Sequence, residues 1–328
     1  MSLDDRFGEE LEQERKKRFF SGNQSEIVTD PVSDWATDFS HVDPQWAADP
    51  YPIQDDLRQR CPIAHTDRFG GAWLPTRYED VAAIAYDTDH FTSRAIIVTN
   101  VRPPHDLAPV GGAPPISSDP PFHHDARKLL LPAFTKTAVA KQEPLTRAFC
   151  HSLIDTFEGR DVVDVAQEYA KHIPMRVIAG MLGIPYEDSE MFSVFIENGV
   201  GNVNAPPEER SERFTKMTDY LLGHVRDHID NPRDDLITYL LNAELHGRKL
   251  EPLHVLGSIN LLFIAGIDTT WSAIGASLWH LAKTPADRER LVAEPDLLPT
   301  AMEEFLRAYA PVTMARLVRR TRTGTAWT

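Results

Sequence analysis

Residues 261–270 read LLFIAGIDTT, an apolar run that ends in an acid and two threonines. Apolar side chains at this density predict a buried segment, yet a carboxylate buried without a partner costs several kcal/mol. One interpretation is a core helix in which Asp268 pairs with a lysine or arginine and a threonine hydroxyl bonds a carbonyl one turn back. The other is a proton path, because a buried acid beside Thr269 can carry protons from solvent to a reactive group.

The surrounding residues predict one long helix from 252 to 283. Pro252 stands near its start and Pro285 just past its end, as helix termini prefer. At ~1.5 Å per residue this helix spans roughly 48 Å. Apolar residues occupy nearly every face over 261–267, so we expect the middle of the helix to be buried on all sides. Gly266 and the threonine hydroxyls predict a local opening of the hydrogen-bond ladder near 265–269.

The composition limits the class of function. The chain has 328 residues, 42% of them hydrophobic, and 34 Lys and Arg against 49 Asp and Glu give a net charge of −15. This balance argues against nucleic acid or an anionic membrane as the main partner. No uninterrupted apolar run approaches the ~20 residues of a membrane-spanning helix, and the N-terminus lacks the apolar segment of a secretory signal. Cys61 and Cys150 form no C-x-x-C motif, which favours a reduced, cytoplasmic compartment.

The hydrophobic pattern predicts a mainly α chain with a small β part near the N-terminus. We expect residues 1–40 to form a polar N-terminal arm and residues 41–328 to form a single domain. The predicted β-hairpin lies within 63–76, and a second β segment begins within 311–320. The predicted loops are the proline-rich stretch 101–121 and residues 201–210. The other predicted helices are 51–60, 77–86, 122–131, 137–157, 163–182, 186–200, 208–229, 233–244, 286–293 and 297–309.

Two charged motifs lie on either side of the long helix in the sequence. The segment DPPFHHDARK (119–128) places His123 and Arg127 four apart on one helix face. Such a pair suits a carboxylate or phosphate of a ligand, although a solvated surface pair is the ordinary alternative. After the long helix, Glu304 and Arg307 stand three apart. Alone this spacing says little, because exposed ion pairs at i, i+3 are common.

The segment HVRDH (224–228) places two histidines at i, i+4, a spacing that can bind zinc on a helix. A zinc protease has H-E-x-x-H, in which the glutamate after the first histidine activates water. Val225 stands at that position here. A solvated helix face is therefore the favoured interpretation of this segment.

Taken together and in this order, the motifs resemble those of the cytochrome P-450 family of heme-thiolate monooxygenases, in particular its soluble bacterial members. The resemblance is carried by DPPFHHDARKLLLPAFT (119–135), FIAGIDTTWSAI (263–274) and EEFLRAYAPV (303–312). Weaker support comes from 49–65, 73–81 and 91–94, so the similarity runs from about residue 40 to about residue 320.

The resemblance implies a triangular, mainly helical prism with small β-sheets, which holds a b-type heme against the long central helix. Asp268 and Thr269 match the acid–alcohol pair of the family, which delivers protons during dioxygen activation. Ala265 and Gly266 match the small residues that leave room for dioxygen.

The resemblance also implies the residues around the heme. His123 and Arg127 match the pair that holds the heme propionates, and Arg316 matches a further propionate partner. Glu304 and Arg307 match a buried structural ion pair that braces the heme-ligand loop and takes no part in the chemistry. The loop 95–118 and the turn 196–210 would frame the substrate entrance.

One element of the family pattern is missing from the printed sequence. The iron thiolate of the family comes from a cysteine in an F-x-x-G-x-x-x-C-x-G loop, well beyond the E-x-x-R helix. We expect that this chain, which stops at Thr328, is C-terminally truncated before that loop, and Thr321 stands where the family has an aspartate. Neither Cys61 nor Cys150 lies in a glycine-rich loop of the kind that tunes a thiolate. No metal ligand is therefore predicted within the sequence.

The resemblance implies a monooxygenase that inserts one atom of O2 into a small apolar molecule, with electrons from a ferredoxin and its ferredoxin reductase. The alternative is a non-catalytic fragment that at most binds a hydrophobic small molecule, because the thiolate loop is absent. Zinc binding through 224–228 is a third hypothesis. Metal analysis separates the three, since they predict iron with porphyrin, no metal, or zinc.

Overall fold

The computed structural model describes residues 23–24, 28–98, 101–102, 114–199 and 207–319. The chain divides into two compact units. Unit 1 comprises residues 1–124, 204–208 and 314–328, and unit 2 comprises residues 125–203 and 209–313. The described part is mainly helical with small sheets, as predicted from the sequence pattern.

Unit 1 contains short helices and paired strands. Its helices are α1 (Pro44–Ala48), α2 (Tyr51–Arg60) and α3 (Tyr78–Tyr86), with a 3-10 turn at Arg68–Gly70. Its strands are β1 (Asn23–Gln24), β2 (Ile63–Thr66), β3 (Ala72–Pro75), β4 (Phe91–Thr92), β5 (Val101–Arg102) and β8 (Leu317–Val318). All pairs are antiparallel: β1 with β5, β2 with β3, and β4 with β8. The predicted hairpin within 63–76 and the β segment within 311–320 are thereby confirmed.

The core of unit 1 includes residues that the sequence assigned to the N-terminal arm. Ala36 and Phe39 are buried together with Ile53, Leu57 and Ala64. The backbone N–H of His65 on β2 also donates to the carbonyl of Ala36 at 2.9 Å. This end of the predicted arm is therefore packed, because its apolar side chains lie against α2 and β2. Residues 1–22 and 25–27 lie outside the described residues.

Unit 2 carries the remaining helices. A nine-residue helix, α4 (Phe122–Leu130), spans the boundary between the units. It is followed by α5 (Lys136–Asp155), a π-helix (Ala166–Ala170), α6 (His172–Leu182), α7 (Ser189–Gly199), α8 (Pro207–Asp230), α9 (Leu236–Asn242), α10 (Pro252–Lys283), α11 (Pro285–Ala293) and α12 (Leu298–Tyr309). Short 3-10 turns occur at Leu131–Phe134, Tyr186–Asp188 and Pro295–Leu297, and β6 (Glu244–Leu245) pairs with β7 (Arg248–Lys249).

The predicted loops differ in part from the structure. Residues 201–210 were expected to be a loop, but α8 begins at Pro207, where proline suits the first turn of a helix. Residues 201–206 and 103–113 lie outside the described residues. The two predicted entrance segments, 95–118 and 196–210, are therefore described only in part.

The long helix α10 has the predicted bounds, but two expectations about its middle are wrong. The helix runs without interruption from Pro252 to Lys283, so the hydrogen-bond ladder does not open near 265–269. The Thr269 hydroxyl donates to the carbonyl of Ala265 at 2.9 Å and does so within the intact helix. The middle is also not buried on all sides, since Ala265 is exposed. Apolar composition does not decide which helix faces are covered, because neighbouring elements supply the cover.

The length and hydropathy of α10 also meet the criterion for a membrane-spanning helix, with a mean hydropathy of 1.4. The core helix of a soluble protein meets the same criterion. Helices α6, α9 and α12 and the π-helix all pack against α10 inside unit 2.

Candidate active site

Asp268 and Thr269, the predicted acid–alcohol pair, lie at the centre of α10. Asp268 is half-buried, and this burial raises the pKa of its carboxyl above the ordinary value of 3.8. A hydrogen bond from the Trp271 side chain opposes that shift. The described residues include no ion-pair partner for Asp268, so the predicted lysine or arginine is not found. The carboxyl can therefore exchange a proton more readily than one held ionised by a cation.

Thr269 shows the hydrogen bond that the ordinary core-helix interpretation predicts. Its hydroxyl donates to the carbonyl of Ala265 at 2.9 Å, one turn back. A hydroxyl that donates to a carbonyl can still accept a hydrogen bond. Thr269 can thus accept a hydrogen bond on its other side, next to a carboxyl of raised pKa. The core-helix interpretation and the proton-path interpretation of residues 261–270 are therefore compatible at Thr269.

The two small residues before the acid have different surroundings. Ala265 is exposed, whereas Gly266 packs against α6. A Cβ added at Gly266 would lie 3.2 Å from Cδ1 and 3.3 Å from Cγ1 of Ile178. The structure thus gives Gly266 a packing reason in addition to the dioxygen role that the resemblance implies. That dioxygen role stays a prediction.

The three predicted propionate partners lie on separate elements. His123 is half-buried and Arg127 is exposed, one turn apart on α4. Arg316 is half-buried just before β8, and its Nη1 donates to the carbonyl of Ala315 at 2.8 Å. His123 and Arg316 belong to unit 1, and Arg127 belongs to unit 2. Their grouping around one ligand stays a prediction.

Sequence reasoning missed a charged cluster centred on Asp119 in unit 1. The Asp119 side chain is only 10% exposed, and it accepts hydrogen bonds from the Thr92 hydroxyl at 2.5 Å, the Ser93 N–H at 2.8 Å and Arg319 at 2.6 Å. Burial raises the pKa of Asp119, but these donors outweigh it and hold the pKa below the ordinary value. The cluster depends on the pairing of β4 with β8, and no local sequence pattern indicates that pairing. Asp119 also lies just before α4, where its carbonyl accepts a hydrogen bond from the His123 N–H at 3.0 Å.

Glu304 and Arg307 form the predicted ion pair, but they are not buried. Nε and Nη2 of Arg307 each lie 2.7 Å from a carboxylate oxygen of Glu304. The Glu304 side chain is 59% exposed and the Arg307 side chain is 72% exposed. The reason is that α12 has no buried residue, so both side chains face outward. A role in bracing a heme-ligand loop stays a prediction.

The histidines of 224–228 have a structural role. The side chain of His228 is fully buried; its Nδ1 lies 2.6 Å from the carbonyl oxygen of His224, and its Nε2 lies 2.8 Å from Asp235. Both ring nitrogens of His228 are therefore engaged. The residues that the structure describes contain no group of three or more His, Cys, Asp or Glu side chains that could hold a metal ion. Nothing in this segment supports the zinc hypothesis.

The residues of α10 fit the oxygen-binding side of a heme, the cofactor that the resemblance implies. A small exposed side chain at Ala265 lies one turn before the acid–alcohol pair. The two cysteines do not fit an iron ligand. The Cys61 thiol, just after α2, donates to the carbonyl of Ile63 at 3.5 Å, and Cys150 lies within α5. Neither position is a glycine-rich loop of the kind that tunes a thiolate.

Comparisons with known proteins agree with the motifs. The profile of the cytochrome P-450 family matches residues 207–320. The chain is 32% identical over 302 residues to the epothilone C/D epoxidase of Sorangium cellulosum, covering 87% of this chain and 69% of that protein. It is 28% identical over 282 residues to a putative cytochrome P-450 of Bacillus subtilis, covering 84% of this chain and 69% of that protein.

Solved structures show the same fold. The Bacillus subtilis cytochrome P-450 of bacillaene polyketide synthesis matches with a TM-score of 0.75 and 27% identity, covering 88% of this chain and 74% of that chain. An epothilone D-bound cytochrome P-450 matches with a TM-score of 0.73 and 29% identity, covering 86% and 73%. Because motif order, sequence identity and fold agree, this chain belongs to the cytochrome P-450 family of heme-dependent monooxygenases.

Proposed function

We propose that the protein inserts one atom of O2 into a small apolar organic molecule, with electrons from an external ferredoxin and its reductase. The observation that carries this proposal is the half-buried Asp268 beside Thr269 on the long helix of a cytochrome P-450. Its pKa is raised by burial, and no ion pair within the described residues holds it ionised. Such a carboxyl suits repeated uptake and release of protons. We propose a cytoplasmic location, as the soluble bacterial relatives suggest.

The residues of this chain divide the work between binding and proton transfer. His123, Arg127 and Arg316 would hold the heme propionates through charge-assisted hydrogen bonds, and Ala265 and Gly266 would leave space beside the ring. Heme, when bound, supplies the activation of dioxygen. Asp268 takes up protons, and the Thr269 hydroxyl accepts hydrogen bonds from the side opposite to its own bond with Ala265. Each residue thus holds a proton at a defined group, Asp268 at its carboxyl and Thr269 at its hydroxyl.

An apolar substrate class is supported by the character of α10 and by the relatives. Leu261 is half-buried and Ala265 is exposed, so apolar surface adjoins the acid–alcohol pair. Apolar surface with few polar groups suits an apolar ligand better than a charged one. Two relatives are named as epoxidases, of epothilone C/D and of cyclomarin C. Titration of the heme protein with apolar compounds should shift the iron spin state, and a response only to charged compounds would contradict this substrate class.

The electron donor is proposed to dock at a basic rim near α4. Lys128 is exposed, and its Nζ lies 3.9 Å from Asp125, so it is loosely paired. Exposed charges of this kind act mainly on association rate and its salt dependence. Lys128→Glu should slow ferredoxin-driven reduction at low salt and converge on the wild-type rate at high salt. Equal rates across ionic strengths would remove Lys128 from the docking surface.

The central test compares two neighbouring threonines in the heme-loaded protein. Thr269→Ala should keep heme binding but divert reducing equivalents into hydrogen peroxide, because the proton path loses its hydroxyl. Thr270→Ala is the matched control, since Thr270 is exposed and directly follows Thr269 on the same helix. The measurement is product formed per electron consumed. An unchanged yield in Thr269→Ala, or an equal loss in both variants, would contradict the proposal.

A second candidate is a non-catalytic chain that binds a hydrophobic small molecule. The observation that favours it is the placement of both cysteines, since Cys61 donates to the carbonyl of Ile63 just after α2 and Cys150 lies within α5. The thiolate is the ligand that promotes O–O cleavage in this family. The reduced, carbon-monoxide-bound spectrum of the 328-residue chain is the test. We expect no thiolate-type Soret band, and such a band would place Cys61 or Cys150 on the iron.

A further inference from the structure

We propose that Asp119 is a positioning residue for two of the predicted propionate partners, His123 and Arg316. Its carboxylate holds the strand next to which Arg316 lies, and its backbone carbonyl holds the helix start that carries His123. The heme part of this inference rests on the proposed function, whereas the arrangement around Asp119 does not. All three residues belong to unit 1.

The Asp119 carboxylate is held by donors from two other segments of the chain. Its Oδ1 accepts the Ser93 N–H at 2.8 Å, and its Oδ2 accepts the Thr92 hydroxyl at 2.5 Å and Nη2 of Arg319 at 2.6 Å. The Thr92 hydroxyl in turn accepts the N–H of Arg94 at 3.2 Å. A carboxylate that is 10% exposed and holds three donors is costly to displace. Asp119 therefore joins the end of β4 to the end of β8.

The segment that carries Arg316 is bonded on both sides of that arginine. Before it, the Ala315 N–H donates to the carbonyl of Ile96 at 2.8 Å, and after it β8 pairs with β4. The Arg319 side chain then ties the far end of the segment to the carboxylate. The backbone of Arg316 is therefore held in place by contacts of its neighbours.

The two arginines of this segment have different partners. Arg319 is the ion-pair partner of Asp119. Arg316 is half-buried and forms no ion pair within the part of the chain that the structure describes; its Nη1 donates to the carbonyl of Ala315. A guanidinium has five N–H donors, so Arg316 can still bind a carboxylate through two of them. Asp119 thus occupies Arg319 and leaves Arg316 for a ligand carboxylate.

The backbone of Asp119 supports the second partner. Its carbonyl accepts the His123 N–H at 3.0 Å, across the intervening Pro120 and Pro121, which have no N–H of their own. His123 lies in the first turn of α4 and is half-buried. One residue thus sets the position of both partners, acting through β8 with its side chain and through α4 with its carbonyl.

The test is the binding of hemin, compared with hemin dimethyl ester, to the heme-free 328-residue chain. The ester lacks the propionate charges, so the wild type should bind hemin more tightly. Asp119→Asn keeps an oxygen for the Ser93 N–H but places an amide donor where Thr92 and Arg319 donate. We expect it to lose roughly tenfold in hemin affinity, as outer-shell partners typically do, with no change for the ester. An equal loss for both probes, or an unchanged preference for hemin, would overturn the proposal.

Asp34→Asn is the matched control. Asp34 also pairs with an arginine of unit 1, at 2.9 Å from Arg60, and its hydrogen-bond partners lie outside β4 and β8. The control should leave both affinities unchanged. A second variant, Arg319→Gln, removes the ion pair from its more exposed side and should lose part of the hemin preference, which Arg319→Lys should retain. A full preference in Arg319→Gln would contradict the proposal.

Amide hydrogen exchange tests the arrangement without heme. Asp119→Asn should speed exchange over residues 315–319, because the strand loses its tie, whereas Asp34→Asn should not. Far-UV circular dichroism checks that each variant folds. Unchanged exchange in Asp119→Asn would overturn the positioning role. A wild type that binds hemin no better than its ester would instead refute the propionate partners themselves, and this result is obtained before any variant is made.

Discussion

The two halves of α10 differ both in composition and in surroundings: residues 252–267 are rich in Leu and Ile and carry no Asp, Glu, Lys or Arg, whereas residues 268–283 begin with Asp268, end with Lys283 and hold fewer large apolar side chains. In the first half, every residue from His254 to Asn260 is buried, and Phe263 and Ile267 are buried as well. From Asp268 to Lys283 every residue is described and none is buried. Phe263 packs its fully buried ring against Phe192 with centroids 5.0 Å apart, whereas Trp279 is 52% exposed. The comparison teaches that apolar content gives a helix its tendency to be buried, while neighbouring helices determine how much is covered.

Asp268 lies at the border between these halves. Its position explains why the carboxyl is buried enough for a raised pKa and still half-accessible to solvent. A carboxyl further toward residue 260 would lie among fully buried side chains, where ionisation is costly. One nearer residue 279 would keep an ordinary pKa. The border is thus the place on this helix that suits proton exchange.

The largest expected difference between the halves concerns aromatic truncation. Phe263→Ala should lower the free energy of unfolding by about 3–5 kcal/mol, because it leaves a cavity against Phe192. Trp279→Ala should cost about 1 kcal/mol, since the ring contacts Tyr309 and Lys283 but is half exposed. Urea denaturation of both variants gives the comparison. Equal losses would show that the second half is as well packed as the first.

The next prediction concerns Asp268→Asn and depends on pH. The folded-state pKa of Asp268 is raised above 3.8, so its contribution to stability is fully present below pH 3.8 and is lost as the pH rises through the folded-state value. Asparagine does not ionise. The variant should therefore be more stable than wild type at neutral pH, with the difference vanishing on acidification. Thermal unfolding across pH measures this, and a difference that grows on acidification would contradict it.

A smaller effect is expected at two glycines of the helix. Gly275→Ala should raise stability by about 0.5–1 kcal/mol, because alanine favours the helix and nothing lies within 4 Å of the added Cβ. Gly266→Ala should gain less or lose stability, since its Cβ would lie 3.2 Å from Ile178. Adding Ile178→Val should restore part of the gain. Equal gains at both glycines would indicate that Ile178 on α6 moves aside at little energetic cost.

The smallest effect is expected at the exposed ion pair beyond the helix. Glu304→Gln removes the charge that holds the pKa of Arg307 above its ordinary value. Stability of the 328-residue chain should nevertheless change little, because solvent screens both groups. The control is the wild type at raised salt concentration, whose stability should likewise change little. A large loss would show that the pair supports structure despite its exposure.

The sequence was most informative where the signals are local. The bounds of α10 follow from Pro252 and Pro285, and the Thr269 hydroxyl bonds the predicted carbonyl. The β2–β3 hairpin follows from two extended runs around Gly70 and Gly71. These features depend on residues within one turn or one hairpin of each other, so a short window contains their cause.

Non-local contacts escaped prediction. The Asp119 cluster joins Thr92 and Arg319, which are far apart in sequence and meet through the β4–β8 pairing. The packed end of the predicted arm, at Ala36 and Phe39, depends on α2 and β2 for its cover. No periodicity within either segment indicates these partners.

The sequence by itself indicated the family and the helical architecture and predicted Asp268 and Thr269 as the acid–alcohol pair, because these inferences depend on residue type and spacing. Only the tertiary structure decided what surrounds these residues: Ile178 of α6 packs against Gly266, and burial raises the pKa of the Asp268 carboxyl. Burial and desolvation depend on groups that arrive from other elements. The chemical tuning of Asp268 is therefore a property of the packed helices, although the acid itself is specified in the chain.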